Sequence, residues 1–542
     1  MSQEPFEIEA HANEVEKESS PPPHGGQEFT GSERPEIIYR EADLPAIVEM
    51  VESGLVEWNK VDGGTLILQH AGEAVRIVPG GQARPRRGVK VTPKAPMKFA
   101  LNIPYLRNYL TKQINFKTQD RRKSGEGLKE IACPKLVAET FLSQIGEYRR
   151  LPVLNGILTH PTLNLKGELL DRPGFDEKSG LLLDFGGRGF PSVPAFPDRA
   201  EALLALKTIQ ELFGEFPFKT PADASAVLAL FLTVLVRWLL DTCPGFAVSA
   251  NARGTGKTLL TEIISLATQG HEPIITGFTS DQKEMAQRIF SILKMAGGGI
   301  VLLDNVEQSL GGEALNMAIT SPELTNRVLG QSEMQTVPTA VTFVATGNNL
   351  VISGDATSRF LRINLDAQME HPENRRFKRD IKAYALEQGP AVVAAGLTVL
   401  RAYILASDKP EVEPWRFGEW NRLIRGAILW LGLPDPLSGL RETEAQDPER
   451  EALGAVLQAW RERFKDRPTL VKDALEPLKD VWELAISSRS GVNVKTAGRL
   501  LARQVERRVD GLRFVRAGKE HQAVLWKVLK DEERDHQRGL WG

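Results

Sequence analysis

The sequence predicts an α/β protein, with a mixed α/β region ahead of its centre and a small helix-plus-hairpin domain behind it. Three observations predict this. From Gly245 to Asp366, short apolar runs alternate with amphipathic ones. The first apolar run, "GFAVSA", joins the amphipathic "KTLLTEIISLATQ" through a loop holding two glycines. Near the end, "NVKTAGRLLARQVERRV" has helical periodicity and "GLRFVRAGKEHQAVLWKV" reads as a turn between two alternating strands.

The 542 residues suggest two to four domains, and 42% hydrophobic with 25% charged residues is ordinary for a soluble globular chain. Two cysteines, Cys133 and Cys243, make neither a disulfide framework nor a zinc site by themselves, which suits a reducing, cytoplasmic location. The start "MSQEPFEIEA" lacks the apolar core of a signal peptide. The most apolar run, Ala226 to Leu240, is 15 residues long and contains Arg237, so a buried helix is expected and no membrane span. A net charge of −2 says nothing about partners.

Residues 1–35 carry eight acidic and two basic side chains and a "PPPHGG" stretch, and are expected to form a disordered acidic tail. Residues 36–195 mix short strands and helices, including a hairpin-like "GTLILQHAGEAVRIV", and are expected to form a mixed α/β N-terminal domain, a DNA-binding collar. Within it, residues 84–123 hold twelve Lys/Arg against one acid, Asp120, with Phe99, Tyr105, Tyr109 and Phe116 interleaved. Cations for phosphates and rings for bases suit single-stranded nucleic acid, with Arg86, Arg87, Arg121 and Arg122 as candidate contacts. A solvated basic face over core aromatics fits the run equally well.

"PDRAEALLALKTIQELFGEF" reads as an amphipathic helix. "TPADASAVLALFLTVLVRWLL" begins with Thr220 as N-cap, Pro221 in the first turn and Asp223 three residues after the cap. Residues 371–433 look helical. The charged "SGLRETEAQDPER" then links residues 196–435 to a last domain within 436–542. No internal repeat stands out.

The loop N-A-R-G-T-G-K-T differs by one residue from G-x-x-x-x-G-K-[ST]. Amide N–H groups at a helix N-terminus face anionic phosphates, helped by the helix dipole. Gly254 and Gly256 allow positive φ and close backbone approach. Lys257 would reach the β- and γ-phosphates and the Thr258 hydroxyl would bind Mg²⁺. Asn251 replaces the first glycine, and asparagine tolerates the left-handed region better than most residues. The candidate ATP site is therefore Asn251, Ala252, Arg253, Gly254, Thr255, Gly256, Lys257, Thr258 and Leu259.

Forty-seven residues beyond Lys257, the apolar run "GGGIVLLDNVEQ" reaches Asp304, a carboxylate that can hold Mg²⁺ through water. "AVTFVATGNNL" ends in Asn348 and Asn349, where an amide can orient an attacking water. Arg359 follows in "GDATSRFLRINLD" and can neutralise charge developing on the γ-phosphate.

In this order the elements resemble an AAA+ P-loop ATPase. "LLDNV", "NRVLGQSE", "VATGNNL", "SGDATSRF" and "HPENRRF" resemble the helicase portion of phage- and plasmid-encoded primase–helicases, related to superfamily 3. The resemblance is strong over residues 220–435 and weaker on either side. It implies an ATPase motor with a helical lid over 196–435, Asp304 as Mg²⁺ acid, Asn348 as sensor and Arg359 as a finger acting on the neighbouring subunit. It also implies a hairpin near a central pore at "NRVLGQSEMQTVPTAV". Two features depart from related enzymes. Asn305 stands where a catalytic Glu commonly follows the acid, and an amide cannot take a proton. If the strand continues extended, Asn305 and Glu307 share a face, making Glu307 the nearest substitute base. Residues 36–195 lack a convincing carboxylate pair for primer synthesis, so any primase or polymerase would be a separate protein.

In the last domain, Arg499, Arg503 and Arg507 recur every four residues beside an apolar line of Ala497, Leu501 and Val505. Helix plus hairpin looks like a winged helix, and residues 495–530 hold ten basic and three acidic side chains. Duplex DNA contacts from Arg499, Arg503, Arg507 and, on the wing, Arg516 are expected; a charged protein-binding domain is the competing reading. Together these features predict a Mg²⁺-dependent ATP hydrolase that translocates on DNA, and the resemblance implies a homo-oligomeric ring, a hexamer, serving replication of a mobile element or phage. The alternative is an AAA+ nucleotide switch that assembles on DNA and loads a partner without unwinding.

Overall fold

The computed structural model describes residues 34–60, 65–82, 88–120, 127–327, 334–440, 447–486, 491–521 and 523–530. The chain divides into two compact units, Met1–Glu49 with Ile103–Thr140, and Met50–Asn102 with Phe141–Gly542.

In the first unit, Asn115–Gln119 pairs parallel with Glu36–Ile38 and antiparallel with Leu128–Ile131. Phe116, Leu106, Leu110 and Val137 are buried in it. Phe116 is thus a core residue and not a platform for bases. Tyr105 and Tyr109, one helical turn apart on Ile103–Gln113, stack on each other at 6.5 Å between ring centroids. Arg86, Arg87, Arg121 and Arg122 lie outside the described residues.

The second unit is organised by a six-stranded sheet in the order Phe360–Leu365, Gly245–Ala250, Thr342–Asn348, Ile300–Asp304, Ile274–Gly277, Val89–Lys90. The first five strands are mutually parallel and only the edge strand Val89–Lys90 runs antiparallel. Parallel strands buried on both faces should read as continuous apolar runs, and Gly245–Ala250 is buried at all six positions. Residues ahead of position 195 therefore contribute a strand to this sheet.

The helices around the sheet start where local chemistry says they should. Asp198 caps Arg199–Phe213 and Glu201 returns the bond, a capping box. Thr220 and Asp223 do the same for Pro221–Val236, with Pro221 in the first turn. Pro221–Leu239 and Ile381–Leu405 are long and apolar enough to cross a membrane, but 78% and 67% of their apolar windows are buried inside the protein. Both pack as core helices around the sheet. Residues 371–433 are only partly helical. A short 3₁₀ turn at Pro372–Asn374 and an irregular stretch at 406–417 flank Ile381–Leu405.

Among the described residues several antiparallel pairs accompany the sheet, including two hairpins. Ile67–His70 and Glu73–Pro79 form the expected hairpin, turning at Ala71 (φ 51°) and Gly72 (φ 79°), and Pro96–Ala100 adds a third strand. Both central residues at positive φ match a type I′ turn. Glu323–Arg327 and Met334–Pro338 form a second hairpin whose tip, 328–333, lies outside the described residues.

The C-terminal region has its own core of Trp460, Trp482, Leu501, Phe514 and Trp526. The helices Pro448–Phe464 and Val494–Gln504 pack with the hairpin Leu512–Glu520/Ala523–Lys530, which carries a bulge between Arg516 and Gly518. The helix stops at Gln504, earlier than its periodicity suggested, and Glu506 has φ 64°. Arg507 therefore lies beyond the helix and shares no helical face with Arg499 and Arg503.

Candidate functional site

The carboxyl ends of the parallel strands gather the candidate residues, the end where open α/β sheets bind ligands. Gly245–Ala250 runs into the loop 251–256, and the helix Lys257–Gln269 follows. Gly254 (φ 74°) and Gly256 (φ 101°) both lie in the left-handed region. A Cβ on Gly254 would sit 2.7 Å from Glu373 Cβ, so a side chain there is excluded on two counts. Gly256 is the N-cap and offers no side chain to the first helical N–H groups, whereas Asp198, Thr220, Asp281, Asp380, Asp447 and Asn493 each cap their helices. Those N–H groups face the loop unsatisfied by a cap.

Asn251 is not in the left-handed region, contrary to the reason the sequence offered for its tolerance. Its amide instead donates to Asp366 Oδ1 at 3.2 Å. No glycine is needed at a position with ordinary φ. Ala252 contributes its carbonyl, which accepts from Thr255 Oγ1 at 2.8 Å and from Lys257 Nζ at 3.1 Å. Arg253 is exposed on the loop, and Leu259 is half-buried just beyond it.

Strand register brings Ala250 opposite Asn348 and Leu303 opposite Ala345. Three distant groups consequently meet. Lys257 Nζ donates to Asn348 Oδ1 at 2.7 Å, and Thr258 Oγ1 to Asp304 Oδ1 at 2.8 Å. Thr346 Oγ1 donates to the same Asp304 oxygen at 2.7 Å, a contact the sequence did not suggest. Burial lowers the pKa of Lys257, and the negative charge of Asp304 opposes that shift.

The strand ends at Asp304, and Asn305 turns away with φ 52°. The extended continuation assumed for Asn305 and Glu307 does not exist. The two side chains nevertheless meet, Asn305 Nδ2 donating to Glu307 Oε1 at 3.0 Å, and both are exposed.

Arg359 stands at the other end of the sheet. Its carbonyl accepts from Gly245 N at 3.0 Å, and Gly245 pairs with Phe360 while Ala250 pairs with Leu365. Five strand residues, about 17 Å, separate it from its own loop. An arginine cannot span that distance, so any action on a phosphate at this loop requires another copy's arginine. Its side chain is mostly buried, with Asp355 Oδ2 3.2 Å from Nη1.

Arg375 lies within "HPENRRF", and no local pattern in the sequence gives it a role. Its Nη2 lies 3.7 Å from where a Cβ of Gly256 would stand, and its guanidinium stacks over Phe377 (4.8 Å) and Phe216 (6.0 Å). It brings a second cation to the loop.

Of the expected C-terminal contacts, Arg499 and Arg503 are exposed on the helix, and Arg503 approaches Glu449 at 3.5 Å. Arg507 pairs with buried Asp447 at 3.4 Å. Asp447 also accepts from Gly354 N at 3.1 Å, in the 3₁₀ segment Gly354–Ser358 that leads into Arg359. Arg516 is exposed, with its guanidinium 6.0 Å from the Trp526 ring.

No protein-family model matches the chain, and no curated protein sequence does. Among solved structures, the A form apo structure of the NrS-1 C-terminal region covers 75% of this chain and 93% of that chain, at 12% identity and a TM-score of 0.31. A second apo NrS-1 C-terminal region (305–718) covers 80% of this chain and 100% of that chain, at 12% identity and a TM-score of 0.29. An inhibitor-bound JCV helicase covers 39% of this chain and 62% of that chain, at 14% identity and a TM-score of 0.19. Likeness at these scores leaves the functional reading to the site geometry.

Proposed function

We propose that this chain is an ATP-driven DNA translocase of the AAA+ kind, working as a closed ring of identical subunits on a replicating mobile element. The observation that carries the reading is the convergence of Lys257, Thr258, Asp304 and Asn348 through two hydrogen bonds of 2.7 and 2.8 Å at the carboxyl end of one sheet. A lysine, a hydroxyl beside a carboxylate, and uncapped helical N–H groups together suit a nucleoside triphosphate.

The hydroxyl–carboxylate pair fits Mg²⁺, which prefers oxygen ligands and is commonly held by one or two protein groups plus phosphates. Thr258 and Asp304 would hold it, and bound there it would neutralise charge on the phosphate oxygens. The protein's own groups do the rest. The loop amides and Lys257 orient the β- and γ-phosphates. A γ-phosphate would compete for the Lys257 ammonium with Ala252 O and Asn348 Oδ1. Asn348, once released, can position water against the phosphorus. Asn305 and Glu307 form a bonded pair beside Asp304, with Glu307 the carboxylate able to accept the water's proton. Arg375 adds positive charge at the loop, and Arg359 of a neighbouring copy would supply the finger. The helix Val494–Gln504 and hairpin Leu512–Lys530 make a winged-helix unit that offers Arg499, Arg503 and Arg516 to DNA phosphates.

The test is turnover. Lys257→Ala or Asp304→Ala should lower ATP hydrolysis at least about a hundredfold, roughly 2.7 kcal/mol of lost transition-state stabilisation. Neither side chain fills the core, so both variants should fold. Activity within a few-fold of wild type would sink the nucleotide assignment. ATP-driven strand displacement separates a translocase from a switch that only loads a partner.

A further inference from the structure

A cavity of about 300 Å³ shares no residue with the Lys257 site. That volume is at the lower end of small-ligand pockets and leaves room for roughly ten waters. Besides the hairpin residues His70 and Glu73, three elements wall it. The strand Pro96–Ala100 contributes Lys98 and Phe99, the helix Gln282–Met295 contributes Phe290 and Lys294, and the hairpin beyond Glu323 contributes Arg327 and Gln335.

Lys98 is 6% exposed and His70 4%. His70 Nδ1 lies 2.9 Å from Leu154 O. A carbonyl only accepts, so Nδ1 carries the proton and Nε2 is left as an acceptor. Lys98 Nζ donates to that Nε2 at 2.7 Å. Burial pushes the His70 ring down to about 3, so it is neutral and gives Lys98 no countercharge. Burial also pushes the Lys98 ammonium down to about 7, with no carboxylate opposing the shift. The carboxylate on the cavity wall, Glu73, is engaged by Lys294 at 3.0 Å, and Lys294 also donates to Gln335 Oε1 at 2.7 Å.

Buried against a neutral ring, the Lys98 amine tends to shed its charge near neutral pH, and an arriving anion would restore and pair the ammonium. The same cavity offers the Phe290 ring and the side-chain amides of Gln287 and Gln335, which suit a nucleobase better than a bare inorganic ion. We propose that this cavity binds a nucleotide-sized phosphate ester, its phosphate on Lys98 and Lys294 and its base against Phe290 of the helix wall. The ester is either a free nucleoside monophosphate or one residue of a DNA single strand. The site stands independently of the ATPase reading, because none of its residues belongs to the loop.

Calorimetric titration of the full chain at low salt tests it, with thymidine 5′-monophosphate and 5′-phosphorylated (dT)8 as separate probes. Lys98→Met keeps the length and removes the charge, and should weaken binding at least tenfold. Lys257→Ala should leave the monophosphate affinity within twofold. Loss for the monophosphate identifies a free nucleotide as a ligand; loss confined to the octamer identifies the strand. If wild type binds neither probe, if Lys98→Met binds both as wild type does, or if Lys257→Ala abolishes monophosphate binding, the proposal is overturned. Should Lys98→Met fail to melt cooperatively, the partly exposed Lys294 replaces it. Lys294→Met is expected to cost several-fold in affinity, and unchanged affinity for both probes would be equally fatal.

Discussion

Lys257 is held between a carbonyl of its own loop and an amide oxygen 91 residues away. Partial desolvation of its ammonium strengthens whatever it contacts, because Coulomb attraction grows as the local dielectric falls. The acid beside it is treated differently. Asp304 accepts from two hydroxyls, Thr258 and Thr346, and stays an acceptor. On the proposed reading a neighbour takes the water's proton, and Glu307, bonded to Asn305, is the carboxylate closest to Asp304 in sequence. Glu307→Gln should slow hydrolysis strongly while nucleotide binding stays nearly intact, since a base acts in the chemical step. Single-turnover hydrolysis beside a binding titration measures this; unchanged turnover with intact binding removes Glu307 from the mechanism. Lys257, Thr258, Asp304 and Asn348 were legible in the sequence because each closes a short pattern at a strand end or helix start. Arg375 and Asp366 were not. Each touches the loop from a segment more than a hundred residues downstream, and no local pattern encodes that approach. Asn251 was legible as a departure but for the wrong reason: its tolerance comes from an ordinary φ and a side-chain bond.

Helix starts were the most readable elements. Thr220 with Asp223 satisfies two donors reciprocally within four residues, so the signal is entirely local. Helix ends were less readable. Val494–Gln504 stops without a glycine or proline to mark it, because half-buried Val505 and buried Val509 turn into the tryptophan-rich core. That tertiary demand outweighs the helical periodicity of the arginines and sends Arg507 to Asp447. The four-residue repeat thus splits into two kinds of arginine. Charge reversal of the exposed pair, Arg499→Glu with Arg503→Glu, should weaken duplex binding across sequences and flatten its salt slope by about 0.9 per lost phosphate contact. Filter binding at several salt concentrations reads the slope directly. An unaltered slope would return this helix to a solvated or protein-binding face. Arg507→Glu should act otherwise, lowering the melting midpoint more than the affinity, because it sets a second carboxylate against an almost fully buried one.

At the scale of the whole molecule, the sheet separates the 251–256 loop from Arg359. The loop lies beyond Ala250, and Arg359 lies before Phe360, at opposite ends of adjacent paired strands. A chain built this way cannot complete its own site with that arginine, whereas a head-to-tail ring would complete every site from the next copy. The sequence held both motifs but not their separation, which only strand pairing fixes. Mixed rings test the division. Arg359→Ala subunits should keep sound loops and lack fingers; Lys257→Ala subunits should keep fingers and lack working loops. Each alone should be nearly inactive, since a supplied arginine is worth about a thousandfold or more in turnover. Mixed before assembly in equal amounts, they should regain part of the ATPase. Wherever an Arg359→Ala loop meets a Lys257→Ala finger, the interface is chemically wild type, and random closed assembly places that pairing at roughly a quarter of interfaces. Strand displacement should recover less than hydrolysis if neighbouring subunits must fire in order. If mixed rings form and remain as inactive as their components, Arg359 does not act on a neighbour's phosphate, and its burial beside Asp355 serves the fold alone.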